Sequence, residues 1–169
     1  MIRPLLAVRV AAAALILGLA ASTARAERWG DQGVGVMVGN PTGFSYKVFV
    51  DERLAVDAAF GVDQHQLDAH ATLLFHDFNL VRQSPSLSSL TANADIPVYI
   101  GIGPRLLFDN DTELGIRLPV GFSIFPHRTP WEIFTELAPV IRLTPESGVD
   151  FDFSIGVRYY IAAIRPRSN

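Results

Sequence analysis

The chain is 169 residues long, enough for one domain and too short for two large ones. It has no cysteine, which excludes a lipid-anchoring cysteine, a disulfide framework and thiolate metal centres. Its formal net charge is −3 and Lys47 is its one lysine, so no basic surface exists to follow a phosphate backbone and no nucleic-acid partner is expected.

Residues 1–26 stand apart by composition. Arg3 and Arg9 mark a basic start, Val10 to Ala21 is apolar and rich in alanine and leucine, and Ala24-Arg25-Ala26 offers the small-x-small pattern of a signal-peptidase site. The competing reading is a membrane anchor. That run is short for ~30 Å of hydrocarbon, and it ends at a cleavage-like site instead of a basic stop-transfer flank. The expectation is a cleaved signal peptide over 1–26 and an exported domain over 27–169. Losing three of the 14 basic residues against 17 acidic ones leaves that domain with a net charge near −6.

Within the exported domain the dominant pattern is period-two alternation broken by turn residues, the signature of strands. Val34, Val36 and Val38 alternate with Gly35 and Met37 before an Asn40-Pro41-Thr42-Gly43 turn. Phe44, Tyr46, Val48 and Val50 follow, then Asp51-Glu52-Arg53 turns the chain back. Leu54 to Val62 and Leu67 to His76 alternate on either side of Asp63 to Gln66. A serine-rich break from Phe78 to Asp95 reads as one flexible loop. Alternation resumes at Val98, turns at Asp109-Asn110-Asp111, and runs from Glu113 to Ile124. A loop from Phe125 to Pro130 leads into Glu132 to Arg142, and Val149 to Ile161 is last. This predicts an all-β fold of eight antiparallel up-and-down strands. Pro119 and Pro139 fall mid-strand, where each removes a ladder donor, and should mark bulges or kinks.

Alternation does not say which face is inside, because lipocalin-like soluble barrels and membrane barrels share it. Volume separates them. One face carries most of the Phe, Ile, Leu and Val, and the interior of an eight-stranded barrel holds few large side chains. The other face is Gly, Ala, Ser and Thr with interspersed charges. A soluble barrel would need a charged exterior, and the lysines for one are missing. The expected fold is therefore a transmembrane β-barrel, apolar towards lipid and polar within, in the outer membrane of a Gram-negative cell. A soluble periplasmic lipocalin-like carrier is the alternative.

The inward face carries Lys47, Arg105, Arg117, Arg142 and Arg158 with Asp57, Asp68, Glu113, Glu132, Glu136, Asp150 and Asp152. Hairpin symmetry about Glu52 puts Lys47 opposite Asp57, and symmetry about Glu146 puts Arg142 opposite Asp150. These charges read as a network that plugs the lumen, since an unpartnered charge there would be expensive. The sharper alternative is a lipid-modifying enzyme. Asp68 and His70 share one face of one strand and are its candidate catalytic pair, with His76 further along and His127 in a loop. No Gly-x-Ser-x-Gly or other recognisable nucleophile motif accompanies them. A pore is disfavoured by the filled lumen. Gly101, Gly103, Gly115, Gly121 and Gly156 lie within strands with no following helix, so they read as space for Tyr99, Tyr160 and the arginines, not as phosphate loops. No cofactor or metal is expected.

Ser154-x-Gly156-x-x-Tyr159-x-Ile161 resembles the C-terminal signal by which outer-membrane barrels are recognised for assembly, although eight further residues follow it here. Further blocks are Pro41-Thr42-Gly43 with Lys47, Leu67 to His76, Tyr99 to Gly103, Gly115 to Gly121, Phe134-x-Glu136-x-x-Pro139 and Gly156 to Tyr160. In that order they are similar to a widespread family of small bacterial outer-membrane β-barrels. The resemblance implies an OmpA/OmpX-like eight-stranded barrel, with outer-membrane lipids, periplasmic chaperones and the barrel-assembly machinery as partners. It implies no particular activity. With both termini periplasmic, as is usual for such barrels, the Phe78–Asp95 loop falls on the periplasmic side and the opposite loops are short.

Overall fold

The computed structural model describes residues 32–63, 66–108 and 112–161. The expected signal peptide, the Asp109-Asn110-Asp111 turn and the tail after Ile161 lie outside the described residues. The fold is all-β. Its strands are β1 (Gln32–Gly39), β2 (Thr42–Phe49), β3 (Leu54–Asp63), β4 (Gln66–Asp77), β5 (Ala94–Asp95), β6 (Val98–Phe108), β7 (Glu113–Arg117), β8 (Val120–Pro126), β9 (Trp131–Thr144) and β10 (Gly148–Tyr160).

Every pairing is antiparallel, and the pairing returns to its start. Neighbours follow chain order from β1 to β4, β4 joins β6, and β10 pairs with both β9 and β1. β7 and β8 both lie between β6 and β9, so the two share one place in the ring. Eight positions around the ring therefore hold the eight expected runs. The single run expected from Glu113 to Ile124 is split at Leu118-Pro119, where the proline has no N–H to give the ladder. The Pro119 carbonyl instead accepts from the Gly101 N–H (2.8 Å).

Pro139 behaves differently from its expectation. β9 runs through it unbroken, and its carbonyl accepts the Leu118 N–H at 2.9 Å. The chain tolerates it because Pro139 faces the gap between β7 and β8, where the ladder is already interrupted.

The 78–95 segment is also more structured than a flexible loop. Asp77 accepts the backbone N–H groups of Asn79 (2.8 Å) and Leu80 (3.2 Å), turning the chain into a one-turn helix, α1 (Leu80–Gln83). A 3-10 turn follows over Ser88–Ala92, and β5 then pairs with the end of β8. Asn93 accepts the His127 N–H at 2.8 Å. This strap crosses the same end of the ring as Gln32 and Tyr160, the first and last strand residues.

Polarity is inverted relative to a water-soluble fold. Outward side chains of the ring include Val34, Phe44, Phe60, Leu73, Ile100, Phe122, Ile133, Phe151 and Ile155, all substantially exposed. Inward positions hold Lys47, Asp57, Asp68, Arg105, Arg117, Glu132, Glu136, Asp152 and Arg158, all buried. Each strand turns alternate residues to opposite faces, so the two populations read directly off the period-two pattern.

Candidate functional site: the charged interior

Six carboxylates and four basic side chains, one lysine and three arginines, are buried among the described residues. Each cation contacts at least one carboxylate, and the three arginines bridge two or more. Nearest the strap end, Lys47 Nζ donates to Glu132 Oε1 (2.8 Å), and Glu132 also accepts from the Ser123 hydroxyl and from Tyr160 Oη (2.8 Å). Three rings, of Phe49, Tyr99 and Phe125, lie 5.1–5.8 Å from the Lys47 ammonium. Phe49, Ala55, Leu74, Tyr99 and Tyr160 form an apolar cluster there, and Phe78 and Phe125 pack against it. The ammonium is thus held by one carboxylate and by ring faces that carry negative charge density.

Arg158 occupies the next level. It donates from Nη2 to Asp57 (2.5 Å), from Nη1 to Glu132 (3.2 Å) and from Nε to Ser45 (2.8 Å), linking β10 to β3, β9 and β2. Arg117 then ties Glu136 (2.7 Å) to Asp152 (3.3 Å), and Tyr99 Oη donates to Glu136 at 3.1 Å. Towards the far end, Arg105 contacts Asp68 (2.5 Å), Asp63 (2.6 Å) and Asp152 (3.7 Å). Planar guanidinium forks suit this role, since one arginine can satisfy several carboxylates in fixed directions.

The residues singled out by sequence divide into two groups. Lys47, Asp57, Arg105, Arg117, Glu136 and Arg158 meet in the buried interior, together with Glu132 and Asp152 from the same inward face. Lys47 stands directly opposite Asp57, although its direct ion pair is with Glu132. Glu113, Arg142 and Asp150 form a partly exposed set at the far rim. The expected Arg142–Asp150 register needs correction: Arg142 stands opposite Gly148, because the hairpin is centred on Pro145 and not Glu146. The two side chains meet diagonally instead, at 2.9 Å. A small recess beside them is lined by Arg105, Leu107, Glu113, Gly115, Val140 and Arg142.

Asp68 and His70 do touch, with His70 Nδ1 3.2 Å from Asp68 Oδ1. Both side chains are fully buried, and Asp68 is simultaneously bound by Arg105. The next inward residue is Thr72. His76 sits elsewhere, between the rings of Phe49 and Tyr99 (5.0 and 5.1 Å), and His127 is an exposed partner of Asp95 on the strap (3.7 Å).

In the last strand, Ser154 is buried and its hydroxyl donates to the Asn40 carbonyl (3.1 Å). Gly156 stands opposite Phe134, whose ring occupies the space a Cβ would need. Tyr159 and Ile161 point outward. Among the other glycines, Gly121 makes room for the Tyr99 hydroxyl, whereas the ring of Tyr160 lies over Gly33. Gly101 and Gly103 face Leu74, Thr72 and backbone, not an arginine.

Asp63 falls in a turn by sequence, yet it is buried and paired with Arg105. Its parity with Asp57 and Ala59 on β3 was the signal that it points inward. Comparison with known protein families, curated proteins and solved structures returned no match to this chain.

Proposed function

We propose that this chain is a small integral β-barrel of a bacterial outer membrane, exported by the 1–26 signal. In this reading its interior is a cross-linked polar core, with neither a pore nor a catalytic centre. The observation that carries the proposal is the inverted polarity: a ring of apolar side chains faces outward while charged residues fill the inside. In water that arrangement would expose a continuous apolar surface far larger than soluble monomers tolerate. In lipid it is the favourable one, because the closed pairing leaves few backbone groups unpaired and the charges satisfy one another away from hydrocarbon. β3 and β6, of 10 and 11 residues, match the ~9–11 residues of a tilted membrane strand, and β4, β9 and β10, of 12, 14 and 13, are long enough to span and extend beyond it.

The lipids around the ring are the main partner. Ser154, Gly156, Tyr159 and Ile161 serve as the assembly signal read by periplasmic chaperones and the barrel-assembly machinery. Asp68 and His70 are structural in this reading: both Asp68 oxygens are engaged, by Arg105 and by His70 Nδ1, while His70 Nε2 is buried without a hydrogen-bond partner and no nucleophile motif accompanies the pair.

Cell fractionation with gel electrophoresis of heated and unheated samples tests the proposal. The expected result is a protein in the outer-membrane fraction whose folded band shifts on boiling. Release by osmotic shock, with no heat-dependent shift, would overturn it in favour of a soluble carrier.

A further inference from the structure

Outside the ring, the strap between β4 and β6 carries three exposed leucines, Leu80, Leu87 and Leu90, at 58, 44 and 58% exposure. Their exposure matches that of Phe75 (47%) and Ile100 (60%), the outward residues of the strands the strap joins. β4 and β6 are neighbours in the ring, so the strap leaves and re-enters the ring wall at one place, beside that apolar outer face. The rest of the strap is mostly Ser, Asn, Thr and Gln, and its two charges, Arg82 and Asp95, pair with each other at 2.9 Å. It is anchored by the β5–β8 pairing and by Asn93, so the leucines are presented from a tied segment. At the same end of the ring, Trp131 and Tyr159 make an edge-to-face pair on the outer surface (centroids 5.0 Å). Amphipathic rings of this kind sit at the headgroup level of a bilayer.

We propose that the strap is a membrane-surface anchor, with Leu80, Leu87 and Leu90 seated in the headgroup–acyl boundary of the leaflet at the terminal end of the ring. The inference rests on the outer-membrane reading. Its chemistry is that of an interfacial segment: apolar side chains enter the boundary region while a neutral polar backbone stays at the headgroups. The same seating would hold Phe78 over the aromatic cluster around Lys47.

Two single-tryptophan proteins test it, after reconstitution of the mature chain in phosphatidylcholine vesicles containing lipids brominated near the headgroup or near the chain end. One keeps Trp131 and carries Trp29→Phe. The other carries Trp29→Phe, Trp131→Phe and Leu90→Trp. The expected result is blue-shifted emission from both, with the Leu90→Trp signal lost more to the shallow bromines than to the deep ones. Water-like, unquenched emission from Leu90→Trp beside a quenched Trp131 would overturn the strap's role and leave the outer-membrane reading standing. Blue-shifted but unquenched emission would mean that protein covers the leucines, which also overturns it. If Trp131 itself escapes quenching, the outer-membrane reading falls first.

Discussion

The Arg158 guanidinium carbon lies 3.7 Å from the centre of the Phe134 ring, so the interior's most connected cation rests on an aromatic face. The ring has this position because Gly156 opposite lacks the Cβ that would collide with it. Seated over the ring face, the guanidinium keeps its N–H groups, which radiate in its own plane, available to reach Asp57, Glu132 and Ser45. One glycine, one phenylalanine and one arginine thereby orient contacts on four strands.

Arg158→Met keeps much of the volume and removes the charge, leaving Asp57 without its arginine and Glu132 dependent on Lys47. The expected loss is about 3–5 kcal/mol in urea unfolding, the cost of breaking a buried pair. Arg158→Lys should recover only part of it, since an ammonium cannot reproduce the fork.

Lys47→Met and Glu132→Gln should each destabilise, and the double variant should lose less than their sum. A coupling energy of about 1–3 kcal/mol is expected from the double-mutant cycle, because the two groups are in direct contact and buried. Additive losses would mean that the aromatic rings, not Glu132, hold the ammonium.

Gly121→Ala places a methyl group 2.7 Å from the Tyr99 hydroxyl and 2.3 Å from the Thr135 carbonyl. It should lower stability by about 1–3 kcal/mol through overpacking. Tyr99→Phe on the Gly121→Ala background should recover little, because the carbonyl clash remains; the same unfolding assay measures both.

Asp150→Asn at the rim should change stability by less than about 1 kcal/mol, since Arg142 and Asp150 are partly exposed to water. The contrast with Arg158→Met, measured under identical conditions, tests whether connectivity inside the ring sets the energetics.

Much of this arrangement was legible before the fold was known. The parity of Lys47, Asp57, Arg105, Arg117, Glu136 and Arg158 placed them on one face, and turn symmetry about Glu52 put Lys47 opposite Asp57. The same symmetry argument failed at Arg142, where a shift of the turn centre by one residue moved the partner by two. The Ser45, Asp57 and Glu132 contacts of Arg158 were beyond any such argument. They cross the interior, and local spacing carries no information on which side chains meet there. The strap was missed for a related reason: its helix, 3-10 turn and β5 depend on Asp77, Arg82 and His127 at separate points in the chain.

The position of Arg158 in the final strand has a kinetic consequence. Its contacts to Ser45 and Asp57 span 113 and 101 residues of chain. Contacts of such separation form late, after a large loss of chain entropy. Until β10 arrives, Asp57 has no arginine and β1 has no closing neighbour, so a nascent ring is both open-edged and electrically unbalanced. Closure of the ring is therefore close to a single cooperative event timed by its last strand, and a chain truncated before Arg158 is expected to be a substrate for proteolysis, not a smaller closed ring.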